Sequence, residues 1–97
     1  MKTLYEIKKT LKKHKAEVVK NYNVKEIGVF GSVVRGEQKK RSDIDILVEY
    51  SELPDLLKLI ELESRLQKLL KKKVDLVEKS GIRPELKDRI LKEVVYI

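Results

Sequence analysis

Residues 29–48 read VFGSVVRGEQKKRSDIDILV and contain the pattern that decides the fold of this chain. An apolar run over residues 24–30 predicts a β-strand that ends at the turn Gly31-Ser32, after which a helical pattern restarts briefly. Residues 36–42 are polar and charged, so they predict a loop. The alternation that follows predicts a second strand with one face buried. Its buried face is expected to carry Ile44, Ile46, Val48 and Tyr50, and its other face Asp43, Asp45, Leu47 and Glu49.

Amphipathic helices are predicted on both sides of this stretch, because apolar residues recur there at helical spacing. Thr3 is the expected N-cap of a helix over residues 3–21. Pro54 is expected at the first helical position, N1, of a second long helix. In that helix Glu61 and Arg65 stand four residues apart, and we expect them to form an ion pair on its exposed side.

The remaining elements complete the predicted architecture. Residues 74–77 predict a third strand, Pro84 opens a last helix, and residues 95–97 are expected to add a short terminal strand. The order α-β-α-β-α-β-α belongs to the α/β class, in which helices cover a small mixed β-sheet. We expect a single domain over residues 1–97.

The composition excludes several classes of protein. The chain has 97 residues, of which 41% are hydrophobic and 40% charged, so a modest core must lie inside a highly charged surface. The absence of cysteine excludes a disulfide scaffold, a thiolate metal site and a cysteine nucleophile. His14 is the one histidine, which excludes a multi-histidine metal site; we expect it to be a packing residue. The sequence shows no transmembrane span or secretory signal, so we expect a soluble cytoplasmic protein with no membrane partner.

The formal net charge of +7 raises the question of nucleic-acid binding. The basic residues are spread over the segments 8–15, 39–41 and 71–73, and the few aromatic residues do not alternate with them as a stacking platform requires. Nucleic acid is therefore not the favoured partner. The abundance of Lys and Glu is also typical of hyperthermophile proteins, which accounts for part of the lysine content.

The turn Gly31-Ser32 is a candidate anion site. Glycine lets the backbone approach a ligand closely, and the N–H groups at the start of the following helical turn suit phosphate oxygens. The Ser32 hydroxyl adds a donor, and Arg35 lies one turn further on. The alternative interpretation is a simple turn between a strand and a helix.

Asp43 and Asp45 form a candidate metal site. Residues two apart on a strand point to the same face, so both carboxylates would project together, and oxygen ligands of this kind suit Mg²⁺ or Mn²⁺. The alternative is that Asp43 belongs to the loop and Asp45 to a solvated face. Asp75 lies within an apolar strand, where an unpartnered acid is costly, and it would join the pair if the third strand lies beside the second.

The combined pattern resembles the signature of the nucleotidyltransferase superfamily typified by DNA polymerase β. That signature is an apolar strand, Gly-Ser, a spacer and an Asp-x-Asp strand; here ten residues separate Ser32 from Asp43. The short length, the Arg35-Gly36 pair and the ending ILKEVVY over residues 90–96 are similar to the minimal nucleotidyltransferase (MNT) branch, whose members include antitoxins that pair with HEPN toxins.

The resemblance implies a function and a set of roles. The reaction would transfer AMP from ATP to a hydroxyl, expected to be a tyrosine, of a HEPN toxin with which the chain forms a hetero-oligomer. Two Mg²⁺ ions, or Mn²⁺ as the alternative, would be held by the catalytic residues Asp43, Asp45 and Asp75. The nucleotide phosphates would be bound by Gly31, Ser32 and Arg35.

Two other functions stay open at this level. The chain could neutralise its partner by binding alone, without catalysis, or it could transfer a nucleotide to RNA, which the net charge of +7 permits. Kinase, NTPase and dinucleotide-binding functions have no support, because the sequence contains neither a GxxxxGK loop nor a GxGxxG motif.

Overall fold

The computed structural model describes residues 3–97, which form helices on both faces of a four-stranded sheet. The helices and strands follow one another in the predicted order. In chain order the elements are α1 Leu4–Tyr22, β1 Val24–Phe30, α2 Ser32–Arg35, β2 Ile44–Tyr50, α3 Leu56–Leu70, β3 Val74–Glu78, a 3₁₀ turn Lys79–Gly81, α4 Pro84–Glu93 and β4 Val95–Tyr96.

The sheet is mixed and has the strand order β3-β2-β1-β4. β1 runs antiparallel to both β2 and β4, whereas β2 and β3 are parallel. Parallel neighbours need a crossover, and α3 provides it. These observations confirm the α/β class and the small mixed sheet. They also leave β3 as an edge strand of the sheet.

The core lies on both faces of the sheet. On one face α1 and α3 pack against β1 and β2 through a large buried cluster that includes Ile7, Leu62 and Ile46. On the other face α4 and the segment before it cover a smaller cluster of Phe30, Leu47, Ile82 and Ile90. The prediction that β2 buries one face was therefore wrong at Leu47, which is 1% exposed. Alternation could not reveal this, because the second cover comes from residues far along the chain.

The N-terminal helix follows the sequence prediction closely. The Thr3 hydroxyl accepts a hydrogen bond from the Glu6 N–H at 3.2 Å, which confirms Thr3 as the N-cap. The helix ends at Asn23, whose φ of 55° is the left-handed conformation of a helix C-cap. Within residues 3–97 no helix is both long and apolar enough to cross a bilayer.

The second long helix differs from the prediction in two details. Asp55 is its N-cap and accepts a hydrogen bond from the Lys58 N–H at 2.9 Å, so Pro54 precedes the cap and does not occupy N1. Arg65 pairs with Glu17 of α1 at 2.9 Å instead of with Glu61. Tertiary packing brings α1 beside α3. Glu17 of α1 then accepts a bidentate hydrogen bond from Arg65, which no carboxylate on α3 itself provides.

Candidate active site

Three carboxylates lie on one face of the sheet, where β2 and β3 run side by side. The parallel register pairs Asp45 directly with Asp75, so their side chains point to the same face. Asp43 stands two residues before Asp45 and just ahead of β2, and the alternation gives it the same side. The condition set by the sequence, that the third strand lies beside the second, is thus met. This face is opposite the one covered by α1 and α3.

This face of the sheet disfavours the negative charge of Asp45. The pKa of Asp45 is raised to about 6, first by burial and then by the neighbouring carboxylates of Asp75 and Asp43. Arg35 opposes this shift, and Glu93 adds to it. Asp43 and Asp75 are exposed, whereas Asp45 is half-buried. Across residues 3–97, no three acidic, histidine or cysteine side chains are gathered closely enough to form a ready-made metal cage.

Gly31 is the residue of the turn that packs against the Asp45 carboxylate. Its φ of 83° and ψ of −153° lie in a region that is essentially restricted to glycine. A Cβ atom at this position would stand 1.9 Å from Oδ2 of Asp45, so no other residue fits without displacing that carboxylate. The Gly31 carbonyl also accepts the N–H groups of Val34 and Arg35 at 3.1 and 3.2 Å, which closes the short helix α2. The turn and the Asp45 carboxylate are therefore in direct contact.

Glu93 is a residue of this site that the sequence did not reveal. Its Oε2 accepts a hydrogen bond from the Gly31 N–H at 3.2 Å, and its Oε1 pairs with the Arg35 guanidinium at 2.5 Å. The Glu93 side chain is only 11% exposed. In the sequence it looks like an ordinary charged residue in the last turn of α4, 62 positions from Gly31; it lies within the ending ILKEVVY that carries part of the resemblance, but nothing there assigns it to the site.

Arg35 is held in place by two carboxylates. Besides Glu93 it pairs with Glu37 at 3.1 Å, and both hydrogen bonds raise the pKa of its guanidinium further above the ordinary value. The structure thus places Arg35 beside the Gly31-Ser32 turn, as the spacing suggested. The Glu93 carboxylate accepts hydrogen bonds from both. Ser32 is half-buried at the first position of α2.

A basic cavity adjoins the carboxylates. It has a volume of about 290 Å³ and brings together two segments whose charges look separate in the sequence, the loop before β2 and the turn before β3. The Ile44 N–H donates to the Lys73 carbonyl at 2.9 Å, which ties these segments to each other. The interpretation that the positive charge is dispersed is therefore wrong here. The cavity is lined by Lys40, Arg41, Ser42, Asp43, Lys72 and Lys73.

The chain is similar to known proteins in sequence. The nucleotidyltransferase domain family matches residues 11–97. Protein adenylyltransferase MntA of Thermococcus cleftensis is 53% identical over 97 residues, which cover all of this chain and 98% of that protein. The match therefore extends over both proteins almost from end to end.

Solved structures show the same fold. A protein provisionally described as a minimal nucleotidyltransferase gives a TM-score of 0.74 at 32% identity, over 92% of this chain and 93% of that chain. A toxin–antitoxin crystal structure with AMP-PNP gives a TM-score of 0.70 at 26% identity, over 87% of this chain and 69% of that chain. These likenesses confirm the architecture expected from the resemblance.

Proposed function

The chain belongs to the nucleotidyltransferase domain family, and from that premise we propose that it is a protein adenylyltransferase that acts as an antitoxin. It transfers AMP from ATP to a hydroxyl, a tyrosine in our proposal, of a HEPN toxin. The observation that carries the proposal is the direct contact of the Gly31 turn with Asp45, which is itself in register with Asp75. Nucleotidyl transfer requires a turn that binds the phosphates and a set of carboxylates that holds divalent cations.

The carboxylates suit a pair of hard divalent cations, Mg²⁺ or alternatively Mn²⁺. The donor set of Asp43, Asp45 and Asp75 consists of oxygen alone, and the raised pKa of Asp45 reflects burial first and then the negative charge of Asp75 and Asp43, which a cation would offset. Because these residues do not form a ready-made cage, the remaining ligands would come from the phosphates of ATP. When bound, the ions neutralise the triphosphate and stabilise pyrophosphate as it leaves.

The residues of the chain have separate tasks in this proposal. Gly31 and Ser32 orient the β- and γ-phosphates, and Arg35 contributes positive charge at the same turn. The acceptor oxygen attacks the α-phosphorus, the bond from that phosphorus to the β-phosphate oxygen breaks, and pyrophosphate departs. Asp75 accepts the proton of the attacking hydroxyl. Positioning and charge neutralisation account for the rate, with no covalent enzyme intermediate.

The proposal is tested by incubating the chain with α-³²P-labelled ATP, Mg²⁺ and its partner protein. We expect label on the partner that survives RNase and is lost on protease treatment, with peptide mass spectrometry locating AMP on a tyrosine. The Asp45→Asn variant should transfer none. If that variant silences the toxin as well as the wild type does, the chain acts by occlusion and the catalytic proposal is wrong.

Transfer to an RNA 3′ hydroxyl is a second candidate function, which the basic cavity beside Asp43 favours. Four cationic side chains next to the carboxylates could hold the phosphates of an acceptor strand. In that case the label would be sensitive to RNase. Transfer would also fall steeply with salt, because phosphate contacts release counterions.

A further inference from the structure

Helix α3 carries a second apolar stripe that does not face the core. Its core-facing residues Leu62, Leu66 and Leu70 are fully buried. A separate group is between 57% and 72% exposed: three of its members lie in the first turns of the helix, where their spacing places them along one side, and Leu53 lies in the segment just before the helix. Single exposed apolar residues are ordinary, but a contiguous group marks an interaction surface. We name this group the α3 stripe; it consists of Leu53, Leu56, Leu57 and Ile60.

A cavity of about 230 Å³ lies between the α3 stripe and the edge strand β3. Its walls are mainly apolar and include Leu56, Leu59 and Leu76, whereas Glu63 and Glu78 contribute carboxylates. Tyr50 also lines it, and its buried hydroxyl has no hydrogen-bond partner among residues 3–97. A buried polar atom without a partner is costly, so a donor that enters this cavity would gain affinity from it.

The surroundings of the α3 stripe have the opposite charge to the rest of the chain. Residues 50–63 contain four acidic side chains and one lysine, a net charge of −3, in a chain whose net charge is +7. An anionic membrane or a nucleic acid would be repelled by this segment. A second copy docked face to face would bring two such segments together, at a cost of like-charge repulsion. The complementary surface is a protein with an apolar ridge edged by Lys or Arg.

The α3 stripe is close to the carboxylates along the sheet. β3 carries Asp75 near its start and Glu78 at its end, a separation of about 10 Å at the ordinary rise of a strand. Asp75 points to the catalytic face, whereas Leu76 points to the face that α3 covers. Since β3 is the edge of the sheet, a partner that contacts the α3 stripe needs only to wrap around this edge to reach the site.

Resting on the proposed function, we infer that the α3 stripe is the docking surface for the protein that accepts AMP. The acceptor contributes an apolar helix or ridge that packs on Leu57 and its neighbours. A flanking Lys or Arg extends its aliphatic stem into the cavity and donates to the Tyr50 hydroxyl and to Glu63 or Glu78. Docking holds the acceptor hydroxyl near Asp75 but makes no contact with ATP.

The experiment compares Leu57→Lys with Tyr5→Lys, because the two side chains are equally exposed, at 72% and 73%, and Tyr5 lies on α1 outside the stripe. The probe is the purified product of the adjacent gene, the expected HEPN partner. Calorimetry gives its Kd, labelling with α-³²P ATP gives its KM, and the thermal shift with MgATP reports nucleotide binding. Leu57→Lys should weaken partner binding and raise its KM by about 30-fold, as loss of a central contact does. Tyr5→Lys should leave Kd, KM and thermal shift at their wild-type values.

The outcomes separate the docking surface from the catalytic proposal. If the wild type labels the partner and Leu57→Lys binds it equally well, the docking inference is overturned and the proposed function stands. If the partner binds through the stripe without being labelled, docking is supported and the proposed function fails. A sedimentation experiment in which Leu57→Lys converts a dimer of this chain to a monomer would also overturn the inference.

Discussion

The N-terminal end of β2 places Asp45 against the Gly31 turn, whereas its C-terminal end places Tyr50 beneath an exposed apolar stripe. Both ends contain groups in unfavourable surroundings: crowded carboxylates at the first, and an unpartnered hydroxyl with exposed leucines at the second. At the first end the chain itself supplies the turn, the carboxylates and the basic side chains of the adjoining cavity. At the second end it supplies only half of a contact. The first arrangement suits chemistry on a small ligand, and the second suits a protein partner.

The largest effect is expected for Asp45→Asn, which tests whether the N-terminal end of β2 is the catalytic end. We expect transfer to fall by at least about a hundredfold, because the variant loses a charge that is arranged for the transition state. The fold should become more stable, by about 1–2 kcal/mol at neutral pH after allowance for solvent screening, because the variant removes the cost of burying the Asp45 charge and its repulsion by Asp75 and Asp43. Labelling kinetics and thermal melts measure both effects. If the variant stays active, Asp45 at this end of β2 takes no part in catalysis.

Gly31→Ala tests the contact between the turn and the carboxylate. The added Cβ must displace Asp45 and adopt a strained backbone, so we expect activity to fall by roughly a hundredfold and stability by about 1–3 kcal/mol. Gly36→Ala is the matched control, because its φ of 72° is also left-handed but a Cβ there meets nothing within 4 Å. Equal losses in the two variants would mean that strain alone, and not Asp45, explains the result.

The pH dependence of stability should reveal Asp45 in the absence of metal. Its folded-state pKa of about 6 lies above the ordinary value of 3.8, so the folded chain binds this proton more tightly than the unfolded chain. The resulting stability is complete below about pH 4 and is lost as the pH rises through 6. Melts between pH 4 and 7 should show the wild type losing about 1–2 kcal/mol relative to Asp45→Asn. Asp88→Asn, an exposed control on α4, should follow the wild type; a flat difference would contradict the prediction.

At the other end of β2, Tyr50→Phe should stabilise the free chain by about 1 kcal/mol, because it removes a buried hydroxyl that has no partner. Burial and the nearby Glu78 raise the pKa of this hydroxyl to about 12, so it stays protonated at neutral pH, and the lone pairs of its oxygen can accept a hydrogen bond. The same variant should weaken partner binding and leave ATP binding unchanged. Denaturant melts and calorimetry with the partner test the two effects. A destabilised variant would show that the hydroxyl is already satisfied in solution.

The smallest expected effect is that of Glu93→Gln. Glutamine keeps a carbonyl oxygen for the Gly31 N–H but removes one of the two carboxylate charges that pair with Arg35, while Glu37 stays bound to its Nε. The Nη1 end of the guanidinium is then available to the triphosphate, and we expect the KM for ATP to fall by about threefold, less than the full worth of a hydrogen bond to a charged group. Steady-state labelling at varied ATP concentration measures this. A higher KM would mean that the Glu93 charge supports the turn more than it competes with phosphate.

The sequence was sufficient for features that neighbouring residues decide. The Thr3 cap and the bounds of β1 and β2 follow from side-chain periodicity and capping chemistry, which act over a few positions. Even within this range the start of α3 was misplaced, because Asp55 competes with Pro54 for the cap region and its side chain satisfies the Lys58 N–H.

The tertiary structure alone decided which distant residues meet. The register of β2 with β3 sets Asp75 beside Asp45, the packing of α4 carries Glu93 to Gly31, and the cover from α4 buries Leu47. Spacing along the chain carries no information about these contacts, because they depend on the order of strands in the sheet and on which helix faces which. The chemistry of each residue was therefore readable from the sequence, whereas the assembly of those residues into one site required the fold.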